Sequence, residues 1–532
     1  MSETSSPNGI SDLDITIVNF NEASVVNISD LVPHFNIYES IFNQYCTCDL
    51  IVSDAAHLLS RLPIVGEEFI VFRYRTIGLK GNEGKDPYTL QTRSFKIYKL
   101  SERQENNEGT INYKLHGIDD HFFINEAHSV NQSYVGSNCI SACESVFKSY
   151  FIDPVELRPF DKQKFNLVDS GTKITEKKYE TALPKQSQNN SNFISTGITP
   201  IEVINFLKSE AIHKVSDDTS NYMFFQNLTG HHLVTMSELK SSPPAYSYFL
   251  KYAQVEAVGG KEEREVDETT TSLRNSILSY KFRKSFDTIN NIQSGYYGNR
   301  VVAIDLLTKK FDERVFTYDT EWPRLTPLEA GPNAASTMSD AEQNIYRSIG
   351  STQTRFIATE LISNSIPTGN PTQFSGNEHP SYKQTPYFYP IDKEDPDLMR
   401  DKLTGTLKNE DAKYRMVAFV RDDPKLKNPK TKHLKMNREV AQMASLDSIV
   451  LDLTVPGNSD MQAGDVIHVF IPDETEKTKY MNVLGQVEPR MLVTDVRQSY
   501  LMSSGSYITT LTCIKDSFNT SVEKQFEMGL ND

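Results

Sequence analysis

The chain has 532 residues, 55 basic and 70 acidic, for a net charge of −15 and a pI near 5.3. That length asks for about three to four domains at ~150 residues each, and the acid excess argues against general phosphate-backbone binding, which needs clustered Lys and Arg. Hydrophobic residues make up 38 %, counted with the 25 Tyr in place of the 25 Gly, against ~45–50 % for ordinary globular domains; loops and wet surface are expected, and no apolar run reaches the ~18 residues of a membrane span.

In chain order, residues 1–9 are polar, carry one charge at Glu3 and lack the pattern of a signal peptide, so a tail is expected. Residues 10–128 read as β-rich. Ile15–Phe20, Asp49–Ser53, Phe69–Tyr74, the alternating Phe95 and Ile97, and Tyr113–Gly117 are strands separated by polar turns such as Gly81–Asp86 and Gln104–Gly109. Residues 129–218 change period. Ile140, Cys143, Val146, Phe147, Tyr150 and Phe151 share one helical face, which Asp153-Pro154 closes. A polar stretch, Ser170–Asn192, leads to a second helix opened by Thr199-Pro200-Ile201-Glu202, with a capping box and proline at the first helical position.

Tyr222–Phe225 and His232–Thr235 flank the turn Asn227–Gly230 as a hairpin, and Gly259–Thr271 is an acidic loop. Residues 321–430 hold eleven prolines, nine of them from Pro323 to Pro396, which rules out one long helix or a central sheet and predicts a wrapping insertion. A short helix through Val440 and Met443 follows. From Ser448 the opening pattern returns. Gly464-Asp465-Val466-Ile467-His468-Val469-Phe470 sets beside Gly66-Glu67-Glu68-Phe69-Ile70-Val71-Phe72, with glycine, acid and apolar positions in step. Leu492–Val496 and Tyr507–Ile514 then follow in the order of Phe95–Leu100 and Asn112–Ile118, ending in Asp516 and Asp119. Glycine relieves strain where the chain reverses. Four matched elements in order predict two similar antiparallel β-barrels in one chain. Gly66, Glu67, Phe69, Phe72, Gly464, Asp465, Ile467 and Phe470 are the structural markers of that duplication.

Four blocks resemble the central hub proteins of contractile-tailed phage baseplates, relatives of the hub part of type VI secretion spikes. They are Asp54–Glu68, Tyr222–Gly230 with Ser237–Leu239, Asn291–Asp305, and Val455–Asn458 with Ala463–Asp465 and Lys515-Asp516. The long proline-rich insertion departs from the smaller members. The resemblance implies a mainly β fold with some α. Residues 10–128 are a first tube-type barrel, and 219–252 with 438–516 a second. Residues 129–218 and 253–437 are a lateral mixed α/β domain carrying the 321–430 insertion, and 517–532 are a tail.

It implies a virion protein made in a bacterial cytoplasm. As a homotrimer it gives a ring of six quasi-equivalent units, between a sixfold tail tube and a threefold central spike. Baseplate wedge proteins and the tape measure protein are further candidate partners. Genomic DNA passes without specific binding, through a lumen expected to be acidic.

No catalytic, cofactor or metal set is read from the sequence. Asp119-Asp120 and Asp217-Asp218 are adjacent, so as strand residues they point apart and read as solvated loop acids. His231-His232 read as hairpin residues. His121 and His128 bracket Glu126 without completing a triad or a ligand set. The lone Trp322 reads as an anchor under the insertion. Cys46, Cys48, Cys139, Cys143 and Cys513 are an odd set read as free thiols. The competing functions are a tail-associated cell-wall hydrolase, for which no catalytic constellation is visible, and a carbohydrate-binding adhesin, favoured by the many Tyr and loops.

Overall fold

The structure is a computed structural model that describes residues 10–19, 25–61, 64–66, 68–76, 90–105, 110–152, 165–167, 187, 190–191, 193–212, 221–250, 275–284, 287–296, 298–305, 311–317, 328, 347–348, 413–419, 433–446, 448–471 and 490–518. The expected tail 1–9, the Gly81–Asp86 loop, the acidic loop 259–271, Asp217-Asp218, Trp322, Glu67 and nearly all of 168–192 and 321–430 lie outside the described residues.

The N-terminal part is a run of strands: β1 (Ser11–Val18), β2 (Val25–Asn27), β3 (His34–Ser40), β4 (Thr47–Asp54), β5 (Phe69–Arg75), β6 (Gln91–Glu105) and β7 (Ile111–Ile118). Strict alternation drives it. On β4, Cys48, Leu50 and Val52 are buried, while Thr47, Asp49, Ile51 and Ser53 sit half-exposed on the other face. The buried side joins Phe35, Ile70, Phe72, Phe95, Tyr113 and Leu115 in one core. The short helix α1 (Leu58–Arg61) starts where Asp54 accepts hydrogen bonds from the Leu58 and Leu59 amides at 2.8 and 3.2 Å.

A helical layer follows, with α2 (His121–Ala127), β8 (Ser137–Asn138), α3 (Cys139–Phe147), β9 (Phe165–Leu167), β10 (Asn190–Ser191) and α4 (Pro200–Glu210). The stripe read from sequence is buried: Ile140, Cys143, Val146 and Phe147 pack against Ile201, Ile204 and Leu207. The Thr199–Glu202 capping box forms. Next come β11 (Tyr222–Asn227), β12 (Gly230–Thr235) and α5 (Met236–Ser241). β11 and β12 make the expected hairpin, but it pairs with β9 in a separate three-stranded sheet rather than joining the large one. Its two faces serve two cores. Phe224 and Leu233 enter the helical layer, while Met223, Phe225 and Val234 enter the core of the C-terminal strands.

Those strands are β13 (Pro244–Phe249) and β14 (Ser279–Lys284) and, after a small sheet of β15 (Gly298–Asp305), β16 (Phe311–Thr317) and, beyond the two-residue β17 (Arg347–Ser348), β18 (Lys413–Phe419), the run β19 (Ile449–Pro456), β20 (Val466–Phe470), β21 (Arg490–Leu501) and β22 (Ser506–Lys515). The final β23 (Ser517–Phe518) pairs with β17. The expected helix near Lys435 is His433–Ser445.

Two closed barrels were expected; the strands form one continuous 13-stranded sheet, and no closed barrel is found among the described residues. The reason is the antiparallel pairing of β3 with Asp495–Leu501 of β21, which makes β3 a member of both neighbourhoods. Within the sheet a five-strand order recurs. β3-β4-β7-β6-β5 and β14-β19-β22-β21-β20 have the same four antiparallel pairings in sequence. Both long strands carry a bulge facing their hairpin partner, at Ile97–Lys99 and at Val493–Asp495. Beyond the scheme the flanks differ: β5 is followed by β1 antiparallel, β20 by β13 parallel.

Candidate functional site

The site that joins the two half-sheets is a buried polar seam. Tyr74 of β5 donates its hydroxyl to Gln498 Oε1 at 2.5 Å, and Tyr507 of β22 donates to the same oxygen at 3.1 Å. Arg93 of β6 is ion-paired with Glu39 of β3, both almost wholly buried, and the second Glu39 oxygen accepts the Ala463 amide at 3.0 Å. Burial opposes the Arg93 charge, but Glu39, Tyr74 and Cys46 outweigh it and hold its pKa above the ordinary value. The loop between β19 and β20 completes the seam. Ser459 and Thr76 exchange amide-to-hydroxyl bonds at 3.2 Å, and Gln91 donates to Asp460 at 2.5 Å. Gly457 in that loop lies so close to the Tyr507 ring that a methyl group there would overlap it. The bonds of Tyr74 to Gln498, Ala463 to Glu39, Thr76 with Ser459 and Gln91 to Asp460 cross between the halves, while Arg93 and Tyr507 hold Glu39 and Gln498 in place within their own halves, which is what a fixed joint requires.

Two further buried clusters tie the lateral elements to the sheet. Asp119, after β7, accepts from the His121 amide at 3.0 Å and is 2.5 Å from His121 Nδ1, while its other oxygen accepts from Gln226 Nε2 at 2.7 Å. Gln226 Oε1 in turn accepts the Cys46 amide at 2.8 Å. Burial pushes the Asp119 pKa up, but His121, His231 and Gln226 pull it well below the usual carboxylate range. This corrects the expectation of solvated loop acids. Asp119 is buried because the β11–β12 hairpin and α2 close over the end of β7, whereas Asp120 is only half-buried. Asp119, Asp120 and His121 bring ligand-type atoms within 4.8 Å of one another. Both Asp119 oxygens already accept protein donors, so the group acts as an anchor. His231 and His232 are buried strand residues of β12.

At the end of β22, Asp516 takes Lys240 of α5 at 2.5 Å and the Leu328 amide at 3.0 Å. Arg490 donates to the carbonyls of Leu328, Lys240 and Ser242 at 2.9, 3.1 and 2.6 Å. Burial lowers the Lys515 pKa to about 7, with Asp516 opposing. Asp119 and Asp516 thus each end a half-sheet and each pin a neighbouring element. No periodicity marks either role in the sequence; the nearest signal is an acid directly after an apolar strand.

Of the duplication markers, the two glycines share a backbone conformation, and the apolar ones are offset by one residue. Gly66 and Gly464 have φ of +96° and +95°, the region where a side chain is strained. Phe72 and Ile467 are fully buried, Phe69 is half-buried, and Phe470 stacks on Phe249 with centroids 4.6 Å apart. Asp465 accepts the Gln462 amide at 3.4 Å, the turn-closing role that Glu68 plays for Val65 and Gly66 at 3.0–3.2 Å. Aligned through the shared bulge, the pairings set Phe69 with Val466 and Ile70 with Ile467, one residue away from the sequence alignment. The first turn has one more residue between its glycine and its strand.

No helix among the described residues is long and apolar enough to cross a membrane. No family model and no curated protein matches the chain. Its structural neighbours are phage tail proteins and type VI secretion spike proteins. A tail protein of Neisseria meningitidis MC58 aligns over 94 % of this chain and 96 % of its own at 9 % identity and a TM-score of 0.44. The 43 kDa tail protein of a Shewanella oneidensis prophage aligns over 94 % and 98 % at 9 % identity and 0.42. An Escherichia coli component of the type VI secretion system, itself structurally similar to the T4 tail proteins gp27 and gp5, aligns over 92 % and 75 % at 10 % identity and 0.32.

Proposed function

We propose that the chain is a structural, non-enzymatic virion protein, the central hub of a phage baseplate, whose homotrimer adapts a sixfold tail tube to a threefold spike. What carries the reading is the five-strand pairing scheme that occurs twice in one polypeptide. Three copies then supply six similar surfaces to the tube, and each copy keeps its differing flanks for a threefold partner. The seam supports it as well, because a ring of equal units needs the two halves of a chain held at a fixed angle.

The reading assigns the polar outer face of β3, β4, β7, β21, β22 and β19 to the DNA channel. Its acids are largely neutralised in place: Asp49 lies 3.2 Å from Lys114 and 2.7 Å from His116, and Asp452 lies 2.7 Å from Arg283. DNA would therefore slide past a nearly balanced surface, and the chain's acid excess sits elsewhere.

Imaging of the intact particle tests the reading. The expected result is an axial ring of three copies between tube and spike, with about three times the 60.4 kDa chain mass for the isolated assembly. A peripheral position, or clear lysis of cell walls by the purified chain, would overturn it.

A further inference from the structure

Asp119, Asp120 and His121 are consecutive, and in a strand their side chains would alternate across the sheet. The turn into α2 changes that. The Phe122 and Phe123 amides donate to the carbonyls of Asp119 and Asp120 at 3.1 and 3.0 Å, and the three side chains converge. His121 Nδ1 lies 2.5 Å from Asp119 Oδ1 and 3.7 Å from Asp120 Oδ1. A second imidazole comes from the β11–β12 hairpin. The His231 ring stands edge-on to that of His121, with centroids 4.8 Å apart. Both rings are fully buried.

These spacings are those of a metal site. Two imidazoles on one tetrahedral zinc, with Zn–N of ~2.1 Å, bring their ring centroids to about 5 Å and their donor atoms to about 3.4 Å. We propose that Asp119, Asp120, His121 and His231 bind one divalent transition-metal ion of the zinc class, which fastens the hairpin to the end of β7. Two imidazoles and two carboxylates suit zinc, whereas calcium takes about six to eight oxygens.

The anchor at Asp119 is compatible with the ion. An ionised carboxylate has about four lone-pair sites. The Gln226 side-chain amide and the His121 backbone amide each take one, and the ion replaces only the proton shared with His121 Nδ1. Phe147 lies against both imidazoles at 6.1 and 5.1 Å, Phe151 against His121, and Phe224 stacks on His231. Such an apolar shell limits solvent access to a metal. Tyr45 meets His231 edge-on at 6.5 Å, and its buried hydroxyl has no hydrogen-bond partner among the described residues. Burial first, then Asp119 and Glu126, raise its pKa. That hydroxyl lies in the field of the same cluster and can donate to a carboxylate or to a water on the ion. The other half-sheet offers a parallel. Asp516, which follows β22 as Asp119 follows β7, is held by the Lys240 ammonium; at Asp119 the ion is the corresponding positive charge.

The test incubates the full chain with zinc sulfate, removes the excess by gel filtration and measures bound metal by elemental analysis. One zinc per chain is expected. Cobalt in its place should give the intense visible bands of a four-coordinate site. Asp120 is half-buried and stands outside the anchor, so Asp120→Asn leaves the fold in place and should weaken zinc binding by more than the roughly tenfold of an outer-shell change. His231→Gln should abolish the cobalt bands. His128→Ala, at an exposed histidine outside the cluster, should change neither readout. No zinc on a chain that circular dichroism shows to be folded overturns the proposal. Zinc retained equally by Asp120→Asn and His231→Gln overturns it too, as does the weak spectrum of octahedral cobalt. Every readout is metal content or coordination, so none of these outcomes depends on the hub reading.

Discussion

The N-terminal and C-terminal half-sheets share a pairing order and differ in what flanks it. In the first, β5 is covered by β1 and β2 from its own N-terminal neighbourhood. In the second, β20 takes β13 in parallel, from more than 200 residues earlier in the chain. The shared part is built on hairpins close in sequence, β6–β7 and β21–β22. The flank of the first half is local, whereas that of the second, like the pairing of β14 with β19 inside the scheme, reaches across a long stretch of chain. The second half therefore depends more on long-range closure, whose entropic cost must be met by packing.

The sharpest way to break the comparison is at the seam. Arg93→Ala strands the buried Glu39 carboxylate, which also holds the Ala463 amide of the other half, and is expected to remove about 3–5 kcal/mol, read by urea unfolding; a loss under about 1 kcal/mol would show that this pair does not support the seam. Gly457→Ala drives a methyl into the Tyr507 ring and should lose about 3 kcal/mol. Its first-half counterpart in crowding is Gly117→Ala, where the methyl would lie 2.6 Å from Cys48 Sγ and 2.9 Å from Phe95 Cβ, and a similar loss is expected.

Acid separates the regions next. Burial lowers the His232 pKa to about 3. Between pH 6.5 and 3 the unfolded chain takes up a proton that the folded chain refuses. This stability is complete above pH 6.5 and falls as pH drops, by up to about 1.4 kcal/mol per pH unit. His232→Asn should flatten that slope in unfolding curves collected from pH 7 to 4.5, and an unchanged slope would place the acid sensitivity elsewhere.

The two turn glycines give a finer contrast. Gly66→Ala meets only backbone strain, about 1 kcal/mol, because its nearest obstacle is 3.6 Å away. Gly464→Ala adds crowding against Phe225 at 3.2 Å and should lose more; equal losses would mean the rings yield freely. The smallest effect belongs to the outer face. Lys114→Ala removes a half-exposed ion pair with Asp49 and should change stability by less than about 1 kcal/mol.

Much of this was legible in the residues. Alternation placed β4, β5, β7 and β19, helical spacing placed α3 and α4, and Thr199 to Glu202 announced a capping box that forms. The glycines at 66 and 464 were found by their shared setting. The exact alignment was not, because one extra residue in the first turn leaves the glycine–acid pattern intact while shifting the strand behind it. The burial of Asp119 was hidden too. A carboxylate after a strand looks alike whether water or a distant hairpin covers it, and the partner that decides, Gln226, lies 107 residues away.

The order of apolar and polar residues by itself determined which segments extend, which coil, and that a strand pattern returns near residue 448. Those choices rest on side-chain periods of 2 and 3.6, which each segment carries alone. The tertiary structure decided that the two patterns fuse through β3 and β21 into one sheet, that β13 lies parallel to β20, and that the 222–235 hairpin divides two cores. Such pairings depend on which edges remain after the local hairpins form, and an edge left open at one point in the chain is visible only when the rest has folded around it.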